Sequence, residues 1–311
     1  MPLEILKDAC PEGFIVKTLD EPTHEQLVKE AIDADFFLVS GRLRIDKEVL
    51  DNAPRLKMIQ RTGVGTDMLD LDAIKKYGIP VYVNRGVNAQ SVAEHTLTLM
   101  LACLKRLPQI NQQTHSGIWK KQQTGVTTRE LKDKTVALVG MGNIGRLVAQ
   151  LLQPFGAKVI YTDVVRQNPE IEQRLELTYY DSFESMLPKA DILSFHCPLT
   201  HENTEMLNSR TLVLMKKDSI VVNTARGKLI NPNDLYESLI SGLLSAAGLD
   251  THYEEPIQDS YRLSELDNVI LTPHIGGLSY EAFQSMMAGA MNNIAAFDKG
   301  LFENIVHAKY I

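Results

Sequence analysis

The chain has 311 residues, and its 44% hydrophobic content is ample for the cores of two domains. Its formal net charge is −7 without a basic stripe, which argues against nucleic-acid binding. The three cysteines (Cys10, Cys103 and Cys197) lack metal-ligand spacing, and neither an N-terminal signal nor a membrane-length span is recognisable, so we expect a cytoplasmic protein without a metal site or membrane contact.

The first hundred residues contain three apolar runs, at residues 36–39, 58–60 and 81–83, that alternate with helical stretches. This alternation predicts a small parallel α/β domain. A glycine loop at residues 61–67 follows the second run, and its exposed N–H groups could receive a substrate carboxylate. Ordinary strand–helix turns are far more numerous than anion sites, so the residues by themselves leave both interpretations open.

A long apolar stretch at residues 89–104 predicts a helix that crosses from the small domain into a larger one. Glu94, His95 and a flanking basic pair argue for a core helix rather than a membrane span. The polar residues 109–128 that follow indicate an excursion between domains. A second helix, at residues 280–297, is expected to bring the chain back.

The run Gly-Met-Gly-Asn-Ile-Gly that begins at Gly140 follows an apolar stretch and opens a helical one, which is the context of a dinucleotide-binding site. Gly140 permits the tight turn, Gly142 lets the backbone approach a pyrophosphate, and Gly145 allows close packing of helix on strand. Asn143 and Ile144 are expected to line the phosphates at the positive end of the helix. The pattern favours a cofactor site over a simple turn.

Asp163 ends the next apolar run, eighteen residues beyond Gly145. An acid at this place accepts hydrogen bonds from an adenosine ribose and repels a 2'-phosphate, so we expect NAD, with NADP less favoured. Arg166 follows three residues later and leaves use of both cofactors open.

Four further apolar runs, at residues 191–196, 219–223, 246–250 and 269–271, alternate with helical segments and complete six predicted strands. Such alternation predicts a doubly wound parallel sheet, which binds its ligands beyond the carboxyl ends of the strands. The polar residues at those ends are Asp163, His196, Cys197, Asn223, Thr224, Arg226, Asp250 and His274.

Two of these side chains suit chemistry on a 2-hydroxy or 2-keto acid. The permanently charged guanidinium of Arg226 can pair with two carboxylate oxygens, although a surface ion pair is the commoner role of arginine. The imidazole of His274 titrates near neutral pH and can exchange a proton with the C2 oxygen. A carboxylate would fix the imidazole tautomer, and the adjacent Glu254 and Glu255 both offer one.

Several motifs closely resemble those of the D-isomer-specific 2-hydroxyacid dehydrogenase family, over nearly the whole chain. They are Gly140 to Gly145, His-Cys-Pro-Leu-Thr from His196, Asn-Thr-Ala-Arg-Gly from Asn223, Gly-Leu-Asp at 248–250 and Thr-Pro-His-Ile-Gly-Gly at 272–277. The resemblance implies an α/β protein with two parallel-sheet domains. A Rossmann NAD-binding domain, residues 101–283, is inserted into a flavodoxin-like substrate domain, residues 1–100 and 284–311.

The resemblance also implies roles for individual residues. It selects Glu255, five residues after Asp250, as the partner of His274, and it places Asp250 near the nicotinamide carboxamide. Val64 and Gly65 of the first glycine loop are implied as substrate-binding residues. The residues implied to border the cofactor are Cys197, Thr224, Ala225 and Gly277.

The resulting expectation is an NAD-dependent oxidoreductase that transfers a hydride between nicotinamide and C2 of a D-2-hydroxy or 2-keto acid. His274 and Glu255 form the acid/base pair, and Arg226 anchors the carboxylate. The family includes 3-phosphoglycerate and D-lactate dehydrogenases and glyoxylate and hydroxypyruvate reductases, and the sequence does not select among their substrates. Relatives imply a homodimer built through residues 109–128.

Two other functions are compatible with parts of this pattern. Formate enzymes of this superfamily typically pair the histidine with glutamine, so Glu255 disfavours formate oxidation. The alternative from a different class is an NAD(H)-sensing, corepressor-like protein that binds partners on the same fold.

Overall fold

The computed structural model describes residues 2–41 and 43–305, so Arg42 and residues 306–311 of the predicted substrate domain lie outside the described part. The chain divides into two compact units. The first comprises the residues up to Asn88 and those from Leu278, and the second comprises Ala89–Gly277. The predicted boundaries, after residue 100 and before residue 284, fall inside the long helices Ala89–Lys105 and Tyr280–Asp298. The boundaries between the two units lie instead at or near the first residues of these helices.

The strands are β1 (Phe36–Val39), β2 (Met58–Arg61), β3 (Val81–Tyr82), β4 (Thr135–Val139), β5 (Lys158–Thr162), β6 (Leu177–Tyr179), β7 (Ile192–Phe195), β8 (Ser219–Asn223), β9 (Leu244–Leu249) and β10 (Val269–Leu271). The α-helices are α1 (Pro2–Asp8), α2 (His24–Glu30), α3 (Lys47–Asp51), α4 (Leu71–Lys76), α5 (Ala89–Lys105), α6 (Leu107–His115), α7 (Lys121–Gly125), α8 (Asn143–Leu152), α9 (Pro169–Arg174), α10 (Phe183–Met186), α11 (Ser209–Leu212), α12 (Pro232–Ile240) and α13 (Tyr280–Asp298).

The first unit contains a parallel sheet in the order β1–β2–β3. Ile59 of the central strand β2 and Val81 of the neighbouring β3 are fully buried, as expected for strands that are covered on both faces. The helices begin at polar caps, such as Asp46, which accepts a hydrogen bond from Val49 N at the start of α3. The glycine loop at residues 61–67 therefore leaves the carboxyl end of the central strand.

The second unit contains a seven-stranded parallel sheet in the order β10–β9–β8–β7–β4–β5–β6. The strand order reverses at β4, which lies between β5 and β7, and ligands of doubly wound sheets bind beyond such a switch point. The α/β class with parallel sheets is confirmed. The predicted count of six strands was wrong, because the three-residue edge strand β6 buries none of its residues and so shows no apolar run.

Helix α5 packs within the second unit, against α8 and over β8 and β9. It buries Leu99, Met100 and Cys103 in the core beneath it. Gly248 of β9 permits this close approach, since a Cβ atom there would lie 3.0 Å from Leu99 Cβ. Across the two described ranges, no helix is long and apolar enough to span a bilayer.

Candidate active site

The glycine loop between β4 and α8 is shaped by contacts that only glycine permits. Gly140 has φ +99°, and a Cβ atom there would lie 2.8 Å from His196 O and from Cys197 N. A Cβ atom at Gly145 would lie 2.2 Å from Gly140 O. At Gly142, by contrast, a Cβ atom would meet nothing within 4 Å. The loop is thus closed on its inner side and open at Gly142, which fits the backbone approach of a dinucleotide pyrophosphate.

Helix α8 begins directly after this opening, with Asn143 and Ile144 in its first turn. The backbone N–H groups of a first helical turn point out of the helix at its positive end, which favours a phosphate. The predicted phosphate-binding residues therefore lie together on one turn. Arg146, in the same turn, donates to Asn143 Oδ1 at 3.1 Å.

Asp163 lies beside the same loop, immediately after β5. Its Oδ2 atom accepts a hydrogen bond from Met141 N at 2.5 Å, and its Oδ1 atom accepts one from Val165 N at 3.2 Å. Each carboxylate oxygen has more than one acceptor site, so the group can still accept from ribose hydroxyls. The structure brings the predicted ribose-binding acid to the edge of the predicted phosphate loop.

Cys197 follows β7 and packs against the inner side of the glycine loop. Burial raises the pKa of its thiol to about 11, so the side chain is neutral at physiological pH. Thr224 lies after β8, and its hydroxyl is 2.8 Å from the Thr96 hydroxyl of α5. Ala225 N donates to Asn223 Oδ1 at 3.0 Å. These predicted cofactor residues all follow carboxyl ends of strands and carry neutral side chains.

Arg226 extends from the turn that Asn223 organises. Fully buried Asn223 donates from Nδ2 to Arg226 O at 2.8 Å. Arg226 Nη1 donates to Ala225 O at 2.7 Å, which orients the half-buried guanidinium. The next residue must be Gly227, because a Cβ atom there would lie 2.0 Å from His252 O. Gly227, which follows Arg226, therefore lies against the backbone of His252 and Tyr253, in the segment that leads to Glu255.

His274 and Glu255 form a direct pair, with His274 Nδ1 2.7 Å from Glu255 Oε2. Glu255 Oε1 accepts a further hydrogen bond from His252 N at 2.9 Å. His274 has φ +55°, a left-handed conformation that is uncommon for a residue other than glycine. About half of the His274 side chain (48%) is exposed, so the ring is accessible to a ligand.

The hydrogen bond to Glu255 raises the pKa of His274, against the opposing effect of partial burial. The negative charges of Glu255 and Asp250 act in the same direction as the hydrogen bond, and the Arg226 cation acts against it. For Glu255, burial alone would raise the pKa, but the hydrogen bonds from His274 and His252 N outweigh it and lower the pKa. Each partner thus shifts the other towards its charged form, the imidazolium of His274 and the carboxylate of Glu255.

Asp250 was predicted to contact the nicotinamide, and the structure shows it bound to the loop that carries His274. Its Oδ1 atom accepts from Thr272 Oγ1 at 2.6 Å and from Ile275 N at 2.9 Å, and its Oδ2 atom accepts from Gly276 N at 2.8 Å. Burial alone would raise its pKa, but these hydrogen bonds and that of His95 lower the pKa to about 2. Asp250 therefore fixes the loop that leads to Gly277.

Two histidines that support this loop were not predicted as site residues. His95 of α5 lies 3.0 Å from Thr272 Oγ1 through Nε2. His252 Nε2 lies 2.9 Å from Thr272 O, while the backbone of His252 binds Glu255. The signal for His95 was a polar residue inside an apolar helix. His252 has no comparable signal in the sequence.

Val64 and Gly65, the predicted substrate residues, lie in the first unit. Arg61 Nε donates to Gly65 O at 2.6 Å, and Arg61 Nη1 donates to Val39 O at 3.1 Å. The Arg61 side chain is buried, whereas Val64 is 48% exposed. The buried Arg61 guanidinium thus holds the loop at the carboxyl end of β2, in which Val64 stays exposed.

Comparison with known proteins relates the chain to one protein family. Residues 97–276 match the model described as D-isomer specific 2-hydroxyacid dehydrogenase, NAD binding domain. A glyoxylate reductase of Thermococcus litoralis is 36% identical over 305 residues, which cover 96% of this chain and 88% of that protein. A D-3-phosphoglycerate dehydrogenase of Methanocaldococcus jannaschii is 35% identical over 287 residues, covering 92% of this chain and 54% of that protein.

Solved structures are also similar to this chain. The D-lactate dehydrogenase of Aquifex aeolicus, crystallised with NAD and lactic acid, has a TM-score of 0.84 at 31% sequence identity. The match covers 97% of this chain and 92% of that chain.

Proposed function

Because the chain belongs to the D-isomer-specific 2-hydroxyacid dehydrogenase family, we propose that Arg226, Glu255 and His274 are its catalytic residues. The chain is an NAD-binding oxidoreductase, as its family and relatives show. The main support for these three residues is the 2.7 Å distance between His274 Nδ1 and Glu255 Oε2. The Arg226 cation is near enough to act on the pKa of the same imidazole. The site therefore contains a cation, Arg226, that can bind an anionic substrate, and an imidazole, His274, whose raised pKa favours proton donation.

When bound, NADH supplies the hydride that C2 of a 2-keto acid receives. His274 is then the proton donor to the C2 oxygen. Its Nδ1 atom is engaged with Glu255, so Nε2 is the atom that passes the proton. In the oxidative direction the neutral imidazole takes the hydroxyl proton from the substrate, and Glu255 stabilises the resulting cation.

Arg226 holds the substrate carboxylate in this proposal. A guanidinium presents five N–H donors in a planar fork, which lets it donate to both oxygens of a carboxylate, and the hydrogen bond from Nη1 to Ala225 O orients the Arg226 fork. We assign Val64 and Gly65 to substrate binding as well, through backbone N–H groups of their loop. Gly140, Gly142, Asn143, Ile144, Gly145 and Asp163 are assigned to the adenosine and pyrophosphate portion of NAD, and Cys197, Thr224, Ala225, Asp250 and Gly277 to the nicotinamide side.

The substrate class that we propose is a small, unphosphorylated 2-keto acid such as glyoxylate or hydroxypyruvate. The glyoxylate reductase of Thermococcus litoralis matches over 88% of its length, and the hydroxypyruvate reductase of Thermotoga maritima over 83%. Both reductases are 36% identical to this chain, and the reactions that their names state support a small keto acid as the substrate.

The function is tested by following NADH oxidation with glyoxylate, hydroxypyruvate, pyruvate, oxaloacetate, bulkier keto acids and 3-phosphohydroxypyruvate. We expect rapid turnover of one of the small keto acids and loss of that turnover in a His274 variant. If none reacts while NADH still binds, as measured by its fluorescence, the NAD(H)-sensing alternative would replace the proposal.

The pH dependence of reduction tests the role of Glu255. In Glu255→Gln the imidazole loses its anionic partner, so the pKa of His274 falls. Reduction needs the protonated imidazole, and its alkaline limb should therefore move to lower pH in the kcat/KM profile. Oxidation needs the neutral imidazole, so its acidic limb should move to lower pH as well. Glu254→Gln is the matched control, and equal profiles for wild type and Glu255→Gln would remove Glu255 from this role.

We also propose a cytoplasmic homodimer. Helices α6 and α7 bury none of their residues in the single chain, and the segment around them exposes Ile118 (41%), Trp119 (80%) and Val126 (75%). Several exposed apolar side chains on one such segment are typical of a subunit interface.

In sedimentation experiments we expect Trp119→Ser to shift the wild-type dimer towards monomer, because a large aromatic anchor is lost. Val213→Ser, which changes another exposed apolar residue (68%) outside this segment, should leave the dimer intact. A monomeric wild-type protein would contradict the interface.

A further inference from the structure

Arg166 follows Asp163 at the carboxyl end of β5, where the chain turns away from the sheet. This turn is folded onto the Asp163 carboxylate, because Val165 N donates to Asp163 Oδ1. The side chains of Val164 and Val165 are exposed, so the turn has open space beside it. Arg166 thus stands where an arginine of a Rossmann domain can accommodate the 2'-phosphate of NADP.

The guanidinium of Arg166 is engaged in a different contact. Its Nε and Nη2 atoms donate to Oε1 and Oε2 of Glu172, both at 2.8 Å. The guanidinium carbon also lies 5.1 Å from the centre of the Tyr179 ring. A planar fork that is paired at two nitrogens and stacked on a ring is held in one orientation.

Glu172 is in turn fixed by the sheet. Its Oε1 atom accepts a hydrogen bond from the hydroxyl of Tyr161, a fully buried residue of β5, at 2.6 Å. Gln167 N donates to that hydroxyl oxygen at 2.9 Å. The Glu172 side chain is 12% exposed and that of Arg166 60%. The hydrogen bond from Arg166, followed by that from Tyr161, lowers the pKa of Glu172 to about 2, so its charge persists at neutral pH.

We propose that Glu172 is a cofactor-selectivity residue that holds Arg166 away from the adenosine ribose, so that NADP meets the Asp163 carboxylate without a compensating cation. The two acids act differently. Asp163 repels a 2'-phosphate directly, whereas Glu172 withholds the cation that would offset this repulsion. The inference rests on the dinucleotide site of the proposed function.

This arrangement predicts strong coupling between the two positions. Removing Asp163 alone leaves Arg166 paired with Glu172, and releasing Arg166 alone leaves it next to the competing Asp163 carboxylate. Only the combined change offers a 2'-phosphate a free cation and no nearby anion. The effects of the two substitutions on NADPH affinity should therefore not be additive.

The experiment measures dissociation constants of NADH and NADPH by fluorescence, without keto acid, for Asp163→Ser, Glu172→Gln and the double variant. We expect the double variant to bind NADPH at least tenfold more tightly than the product of the single effects predicts, because a charged hydrogen bond to phosphate is gained. Adding Arg166→Ala should abolish that gain. The gain should also weaken as salt is added.

Glu237→Gln is the matched control, since Glu237 pairs with Arg262, which stacks 3.7 Å above the Tyr236 ring. It should change neither affinity. Glu172→Ala repeats the test without the remaining hydrogen-bonding amide, and NADH binding by each variant shows that its pocket has folded. Additive effects, or a gain that survives Arg166→Ala, would overturn the inference and leave the proposed function standing. Failure of the wild type to bind either nucleotide would remove both.

Discussion

Replacement of His274 by alanine is expected to lower kcat for keto-acid reduction by about 10²–10⁴-fold, the usual contribution of a positioned general acid. The hydrogen bond to Glu255 raises the pKa of the imidazole and so favours its protonated form, whereas alanine offers no proton to the C2 oxygen. NADH affinity should change little, because the glycine loop and Asp163 are untouched. The measurement is steady-state turnover, with NADH binding determined separately on the same sample.

The residual activity of this variant should also lose the pH dependence that His274 imposes. His24→Ala is a close control, since His24 likewise pairs with a carboxylate, Asp46, at 3.0 Å but lies in the first unit outside the proposed site. Turnover by His274→Ala at the rate of the His24 control would assign proton transfer to another group.

Replacement of Arg226 by lysine is expected to lower kcat/KM by about 10- to 100-fold, because hydrogen bonds to a charged group contribute about 1.5–3 kcal/mol. Lysine keeps the positive charge but cannot donate two parallel hydrogen bonds from a planar fork. Charge alone should therefore not restore activity.

Kinetics with saturating NADH and varied keto acid measure this effect. Arg55→Lys, at an exposed ion pair with Asp35, controls for the substitution itself. If kcat/KM were unchanged, Arg226 would have no part in substrate binding. An equal loss of NADH affinity would instead assign Arg226 to the cofactor.

The support beneath His274 explains how a loop can hold an acid/base group. Asp250 binds the loop at Thr272, Ile275 and Gly276. His252 joins the loop's first carbonyl to the segment that carries Glu255. These hydrogen bonds connect the loop that carries His274 with the segment that carries Glu255, which preserves the 2.7 Å contact between the two side chains.

The dinucleotide loop was predictable because its requirements are local. Gly140 needs a positive φ, and Gly145 lies against the carbonyl of Gly140. Both requirements concern residues that are close together in the sequence, so a short motif reveals them. The buried strands are also marked by short apolar runs, as at β4 and β8. Strand β6 escaped prediction because its pairing with β5, rather than its composition, makes it a strand.

The sequence alone determined the α/β class, the glycine loop and the residue types suited to hydride transfer, because these depend on periodicity and on the chemistry of single side chains. Only the tertiary structure decided that Asp250 binds the His274 loop and that Arg166 pairs with Glu172. The physical reason is that a hydrogen bond between residues on different strands or turns depends on where the folded backbone places both atoms. Composition and spacing along the chain do not determine that separation.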